Sequence, residues 1–231
     1  MKETGILMTP ENGEKCFLAT KLQTRRIIDP QPAQDAEWFG YLAAKPDDSG
    51  WYPMKGDARD SECWEQATGE RLVCPYGVEG DRLWIREACW IYGRWKPNGR
   101  RGKRQRWAFE PASRGRQCTF ITPLALEIRR KGELGWGWVR RPGIFMPRWA
   151  CRTLVEITEV RVQRLQDISQ ADAIAEGGPP SHQSIDSLSR KFGYIDFSRS
   201  WYAQLWESIN GAGSWESNPW VWAISFKKVT L

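Results

Sequence analysis

TLVEITEVRVQRL, residues Thr153–Leu165, decides how the rest of this chain is read. Leu154, Glu156, Thr158, Val160, Val162 and Arg164 alternate with Val155, Ile157, Glu159 and Arg161. Side chains on a strand point alternately to opposite faces, so this period predicts one long strand over 152–165. The alternation is imperfect near Glu159, which predicts a bulge or bend there.

Working outward, DISQADAIAEGG (167–178) predicts a compact helix. Ser169 stands three before Asp172 as a cap, and Gly177-Gly178 supplies a left-handed stop. Ile168, Ala171, Ile174 and Ala175 form its apolar stripe. PPSHQSIDSLSRKFG (179–193) reads as a polar connection, and its His182 has no assigned role. Residues 200–209 predict an amphipathic helix with Trp201, Leu205, Trp206 and Ile209 inward, and WVWAISFKKV (220–229) a final strand. Upstream, GILM (5–8) reads as a strand and ENGEKCFLATK (11–21) as a helix with Phe17 and Leu18 inward. Thr24–Ile28 is extended up to Asp29-Pro30, because the residue before proline avoids the helical region. Arg82–Tyr92 is a further strand and 106–109 a short one; 30–80 and 111–145 read as loops, the former with short hairpins. The class is α+β, one domain over 1–231. Pairing of the last strand with the first would close a small β-barrel and remove its exposed edges.

With 27% charged and 41% apolar residues, the chain is globular rather than mostly disordered. No apolar run approaches the roughly 18–20 residues that span a bilayer, and the N-terminal MKETGILMTPENGEK has no secretory core. A cytoplasmic protein with no membrane partner is expected. The six cysteines (16, 63, 74, 89, 118 and 151) include no C-x2-C pair, and there is one histidine. Neither a metal site nor a cofactor is therefore expected, and the thiols read as reduced.

The net charge of +6 is local. Residues 96–116, KPNGRRGKRQRWAFEPASRGR, carry +7, and the remainder sums to about −1. Lys96, Arg100, Arg101, Lys103, Arg104 and Arg106 are concentrated as polyanion binding requires, although a solvated loop has the same composition. Among fifteen tryptophans, Trp95, Trp107 and Trp149 follow arginines, an arrangement suited to base stacking beside phosphate. Most of the fifteen read as core residues.

Taken in order, GILM, KLQTRRI (21–27), GDRLWIRE (80–87), MPRWACRTLVEITEVRVQRLQDIS (146–169), DAIAEG (172–177) and LWESINGAGSWESNPWVWAISF (205–226) resemble the ASCH family. This family belongs to the PUA-like superfamily of small β-barrels, and the likeness is to its larger phage and prophage members. The blocks cover about half the chain, which makes 30–79 and 93–145 loop-rich insertions. The resemblance implies nucleic-acid contact, usually with RNA and often with a modified base. It also implies, for small bacterial members, hydrolysis of 4-acetylcytidine by a KxxT lysine and threonine with a glutamate from a later helix; other members are ribonucleases. Those positions fall on Lys21, Thr24 and Glu176.

Threonine is a poor nucleophile until a base takes its proton, and lysine can serve only when its pKa falls toward neutral. Neighbouring Arg25 and Arg26 favour that, and Glu176 would act as acid or orient the lysine. The same residues also read more simply: Lys21 closes a helix and Thr24 opens a strand. Arg25 and Arg26 suit phosphate oxygens, with surface carboxylates as the alternative partners. Trp84 and Arg86 share one face of their strand, and Trp84 and Trp149, beside Arg148, are candidates to floor the cleft. Three functions follow: binding of RNA or DNA, or of a modified nucleoside; hydrolysis of 4-acetylcytidine or of RNA; and docking of a host protein on the tryptophan-rich insertions. Binding is favoured.

Overall fold

The alternating stretch becomes the hub of a five-stranded sheet. In the computed structural model, residues 1–32, 36–42, 49–54, 70–113 and 116–229 are described. Much of the first expected insertion, with Cys63, lies outside the described residues, as does Arg114. The elements run β1 (Glu3–Leu7), α1 (Pro10–Phe17), β2 (Gln23–Ile27), β3 (Trp38–Leu42), β4 (Gly50–Met54), β5 (Arg82–Arg86), β6 (Cys89–Arg101), β7 (Arg104–Pro111), β8 (Cys118–Thr119), β9 (Gly137–Arg141), β10 (Leu154–Arg164), α2 (Gln170–Ala175), α3 (Gln183–Lys191), α4 (Phe197–Asn210) and β11 (Trp220–Val229). The protein is α+β, with several sheets and four helices among the described residues.

The main sheet has the order β1-β5-β10-β11-β2. β10 pairs antiparallel with β11 along its whole length, and the register shifts between Ile157 and Glu159, where the bulge was expected. Its first residues also pair with β5, and β5 pairs in parallel with β1. The inward faces put Ile6, Leu83, Ile85, Val155, Ile157, Ile224 and Phe226 into one core, each at most 3% exposed.

No closed barrel forms among the described residues. β11 uses one edge on β10 and the other on β2, so the first strand finds its partner in β5 instead. The gap between β1 and β2 is crossed by a side chain: Arg26 donates to the Leu7 carbonyl and reaches Met8 Sδ at 3.4 Å.

The second insertion is part sheet and part loop: 93–111 lie in the β6–β7 hairpin and 137–141 in β9, while the described residues of 112–136 are loop apart from β8 and one short helical turn, as expected. β6 pairs with β7, β8 and β9 in a separate sheet, and the RWAF strand is the middle of β7. The expected strand over 82–92 splits because Glu87 turns inward. It accepts a two-pronged contact from Arg152, at 2.9 Å on each oxygen, while Arg152 stacks over Phe17 and Phe120.

Helix α1 stops at Phe17, and Leu18 is 59% exposed; its buried positions are Asn12, Gly13 and Cys16. In α2, Ser169 caps the start as expected, but Ala171 and Ile174 face solvent while Ala173 and Glu176 are buried. The polar connection contains α3, capped by His182, whose ring nitrogen accepts from Ser184 N. Its packed position is a serine: Ser189 Oγ meets Ser200 Oγ at 3.2 Å, while Leu188 and Phe192 are exposed.

Ile224 is fully buried and pairs with Val160 and Thr24 across the two central interfaces. Truncation to alanine leaves a cavity that a sheet held on both edges cannot collapse. Ile224→Ala is expected to lower stability by about 2–5 kcal/mol, read as an earlier urea midpoint. An unchanged midpoint would contradict this packing.

Candidate functional site

Helix α1 ends through a left-handed residue, Ala19, with φ of 56°. The chain then enters β2, and Leu22 N donates to Ala175 O at 2.7 Å, which ties this turn to the end of α2. Lys21 therefore arrives beneath the C-terminus of α2, where unpaired carbonyls attract cations. Its Nζ donates to Glu176 O at 2.8 Å and also contacts Glu176 Oε2. Lys15 makes the parallel contact to Gly177 O at 2.9 Å. Gly177 has φ of 90°, a left-handed position that glycine takes without strain.

Lys21 and Glu176 are each 2% exposed. A buried carboxylate is costly unless every oxygen is satisfied, and here it is. Arg25 NH1 reaches Glu176 Oε1 at 3.2 Å, and the Tyr202 hydroxyl donates to the same oxygen at 3.4 Å. Arg25 NH2 lies 3.0 Å from Asp172 Oδ2, its NH1 also donates to Gln23 at 2.6 Å, and its guanidinium lies over the Tyr202 ring. Asp172 Oδ1 accepts from Gln23 at 2.9 Å and from Arg161 at 3.0 Å. Burial pushes the Asp172 carboxyl up, but the Gln23 hydrogen bond and the Arg25 and Arg161 charges outweigh it and hold the group at about 2. The Tyr202 phenol is held well above its usual range by burial and by the Glu176 charge, so it stays a donor. Burial likewise raises the Cys16 thiol to about 11, which leaves it unreactive.

Above this network lies a cavity of about 410 Å³, lined by Asn12, Lys21, Thr24, Arg25, Arg26, Tyr76, Glu176 and Tyr202. Leu7, Ile27, Leu205, Trp206 and Ile209 add apolar surface, and Leu7, Ile27 and Ile209 are 43–50% exposed, so this part opens to solvent. Among the described residues, the Thr24 hydroxyl and the Asn12 side-chain amide line the cavity without a hydrogen-bond partner. Polar groups on the floor and apolar groups at the mouth suit a flat, heteroatom-rich ligand.

The structure thus brings Lys21 and Thr24, from the start of β2, together with Glu176 from the end of α2. Arg25 is not presented to a phosphate: its side chain is fully buried and committed to Glu176, Asp172 and Gln23. Arg26 lines the cavity but spans to β1. Trp84 and Trp149 do not floor the cavity. Trp84 packs at Gly5 and stacks with Arg86 and Arg148, and Trp149 stacks with Arg116. Arg86 donates to Gly143 O and Arg148 to Glu3, so both hold the chain's own groups.

Asn12 and Tyr202 escaped the sequence reading, each sitting in a helix read for its apolar face. Asp172 and Glu176 carried a usable signal: acids four apart share one helical face, and three cations lie in KLQTRR. Comparison with models of known protein families, with curated proteins and with solved structures finds no match, so the ASCH likeness rests on the sequence blocks alone.

The Asp172 shift has a pH signature. A carboxylate held below its unfolded value stabilises the fold fully above the unfolded pKa, and that contribution disappears as pH falls through the folded one. Stability is expected to drop by about 2 kcal/mol between roughly pH 5 and pH 2. Asp172→Asn should lose most of this acid limb in urea melts taken across that range. An identical pH profile in the variant would refute the assignment.

Proposed function

We propose that this protein binds nucleic acid and seats a single base or nucleoside in the cavity above Lys21, Thr24 and Glu176. The observation that carries this reading is the convergence of those three residues, with Asn12, on one cavity whose mouth is apolar. Asn12 and Thr24 offer donors and acceptors for a base edge, while Leu7, Ile27 and Leu205 offer apolar surface to its ring. Lys21 uses two of its three N–H donors on Glu176, leaving one for the ligand. The ordered ASCH-like blocks, which include KLQTRR and AIAEG, support the same assignment and favour a modified base.

The contact of Lys21 with Glu176 beside Thr24 favours a second reading, amide hydrolysis of 4-acetylcytidine. There the Lys21–Glu176 pair would take the Thr24 hydroxyl proton as Oγ attacks the acetyl carbonyl, with Lys21 stabilising the developing oxyanion. The proton would pass to the leaving cytidine N4, and a water would then hydrolyse the acetyl-threonine ester to release acetate. Binding remains the primary reading because Glu176 already has its oxygens committed to Lys21, Arg25 and Tyr202.

Titration calorimetry with cytidine and 4-acetylcytidine tests the site. Thr24→Val and Asn12→Ala each remove one free polar group and should weaken nucleoside binding by about tenfold. Absence of binding by the wild type would overturn the reading. Release of acetate from 4-acetylcytidine, abolished in Thr24→Val, would promote hydrolysis over binding.

A further inference from the structure

β6 and β7 pair from Gly93 with Pro111 to Arg101 with Arg104, and beyond Pro97 both strands leave the sheet as an exposed two-stranded ribbon. The turn is Gly102-Lys103, and Gly102 has φ of 59°, as a two-residue hairpin of this hand requires. The register shifts between Pro97 and Arg100, adding a bulge that increases the ribbon's twist. The base is anchored: Arg141 lies over Trp95, Phe109 and Phe145.

Charge is divided along this arm. At its base, Glu110 neutralises Arg94 and Lys96, each at 2.6 Å. Toward the tip, Arg100, Arg101, Lys103, Arg104 and Arg106 are exposed and have no ion-pair or hydrogen-bond partner for their side chains among the described residues. Arg101 stands directly opposite Arg104. Like charges facing each other across a strand pair destabilise it, a cost that a bound polyanion removes. The basic turn at Arg130 and Lys131 adds charge nearby, since Gly132 lies against Trp107 at the arm's base.

We infer that the β6–β7 arm enters the major groove of duplex DNA. This rests on the proposal that the protein binds nucleic acid, and it names the partner. A two-stranded ribbon fits the roughly 12 Å width of the B-form major groove, whereas the A-form major groove is too deep and narrow for side chains to read. The five residues from Pro97 to Arg101 extend about 15 Å, enough to pass the groove's depth of about 8.5 Å. Arginine forks at the tip can then address guanine O6 and N7 while the flanking cations hold phosphates.

The test uses fluorescence anisotropy of the full chain with a mixed-sequence 20-base-pair DNA, the matching double-stranded RNA, and each single strand. Duplex DNA should bind at least tenfold tighter than the others. With Arg101 and Arg104 on guanine, the three flanking cations Arg100, Lys103 and Arg106 give a log–log salt slope near −2.7, about a 40-fold loss between 50 and 200 mM salt. Arg101→Ala with Arg104→Ala should abolish the guanine contacts and weaken duplex binding by at least tenfold, with little change in salt slope, while leaving calorimetric binding of nucleoside unchanged. Dimethyl sulfate footprinting should show protection at guanine N7. Equal affinity for double-stranded RNA or single strands, or protection confined to adenine N3, would overturn the arm's role and leave the cavity reading standing. No retention of any nucleic acid would overturn both. Tight duplex DNA binding with no nucleoside binding would remove only the cavity reading.

Discussion

The buried network of Lys21, Arg25, Asp172 and Glu176 is the constraint on which the rest of the site depends. Taking four charges out of water is unfavourable unless their partners are placed to within a few tenths of an ångström. That requirement ties the end of α2 to β2 and the turn that enters it. Tyr202 completes the arrangement from α4 by donating to Glu176 and lying beside the Arg25 guanidinium. The network is thus both a structural joint and the floor of the cavity. Its members hold one another, and the Thr24 hydroxyl and the Asn12 amide are left without partners among the described residues.

The two candidate regions use charge in opposite ways. Under the cavity, cations and carboxylates are matched and mostly buried, which gives geometry rather than net field. On the β6–β7 arm, the single acid lies at the base and the tip keeps its charge. Unmatched exposed charge attracts polyanions over a Debye length of about 10 Å and places no atom accurately. On the proposed reading, the pocket and the basic arm would be complementary devices, one selecting a group and the other holding the strand that carries it.

Legibility in the sequence followed how local each cause was. The long strand β10 with its bulge near Glu159, the Ser169 cap, the Gly177 stop and the final strand β11 were all readable, because each depends on neighbours in the chain. Helix α3 was hidden because its packed face carries Ser189 while its apolar residues point outward. The arm was misread because Pro97-Asn98-Gly99 has turn composition but occupies a bulge inside a thirteen-residue strand. Barrel closure failed as an expectation because the choice of strand partner is a long-range competition, and both edges of β11 were already taken.

By itself, the sequence determined the class, the strand-rich order of elements, the local basic charge and the KLQTRR motif, since period, capping and composition act through adjacent residues. Tertiary structure decided which of those cations remain available. Arg25 became an internal strut because α2 brought two carboxylates to it, and Lys21 joined Glu176 across more than 150 residues of chain. Among the described residues, Arg100, Arg101, Lys103, Arg104 and Arg106 stayed without side-chain partners because the ribbon carries them beyond the body of the second sheet. A side chain's type is written locally, but its partners depend on what the fold packs against it.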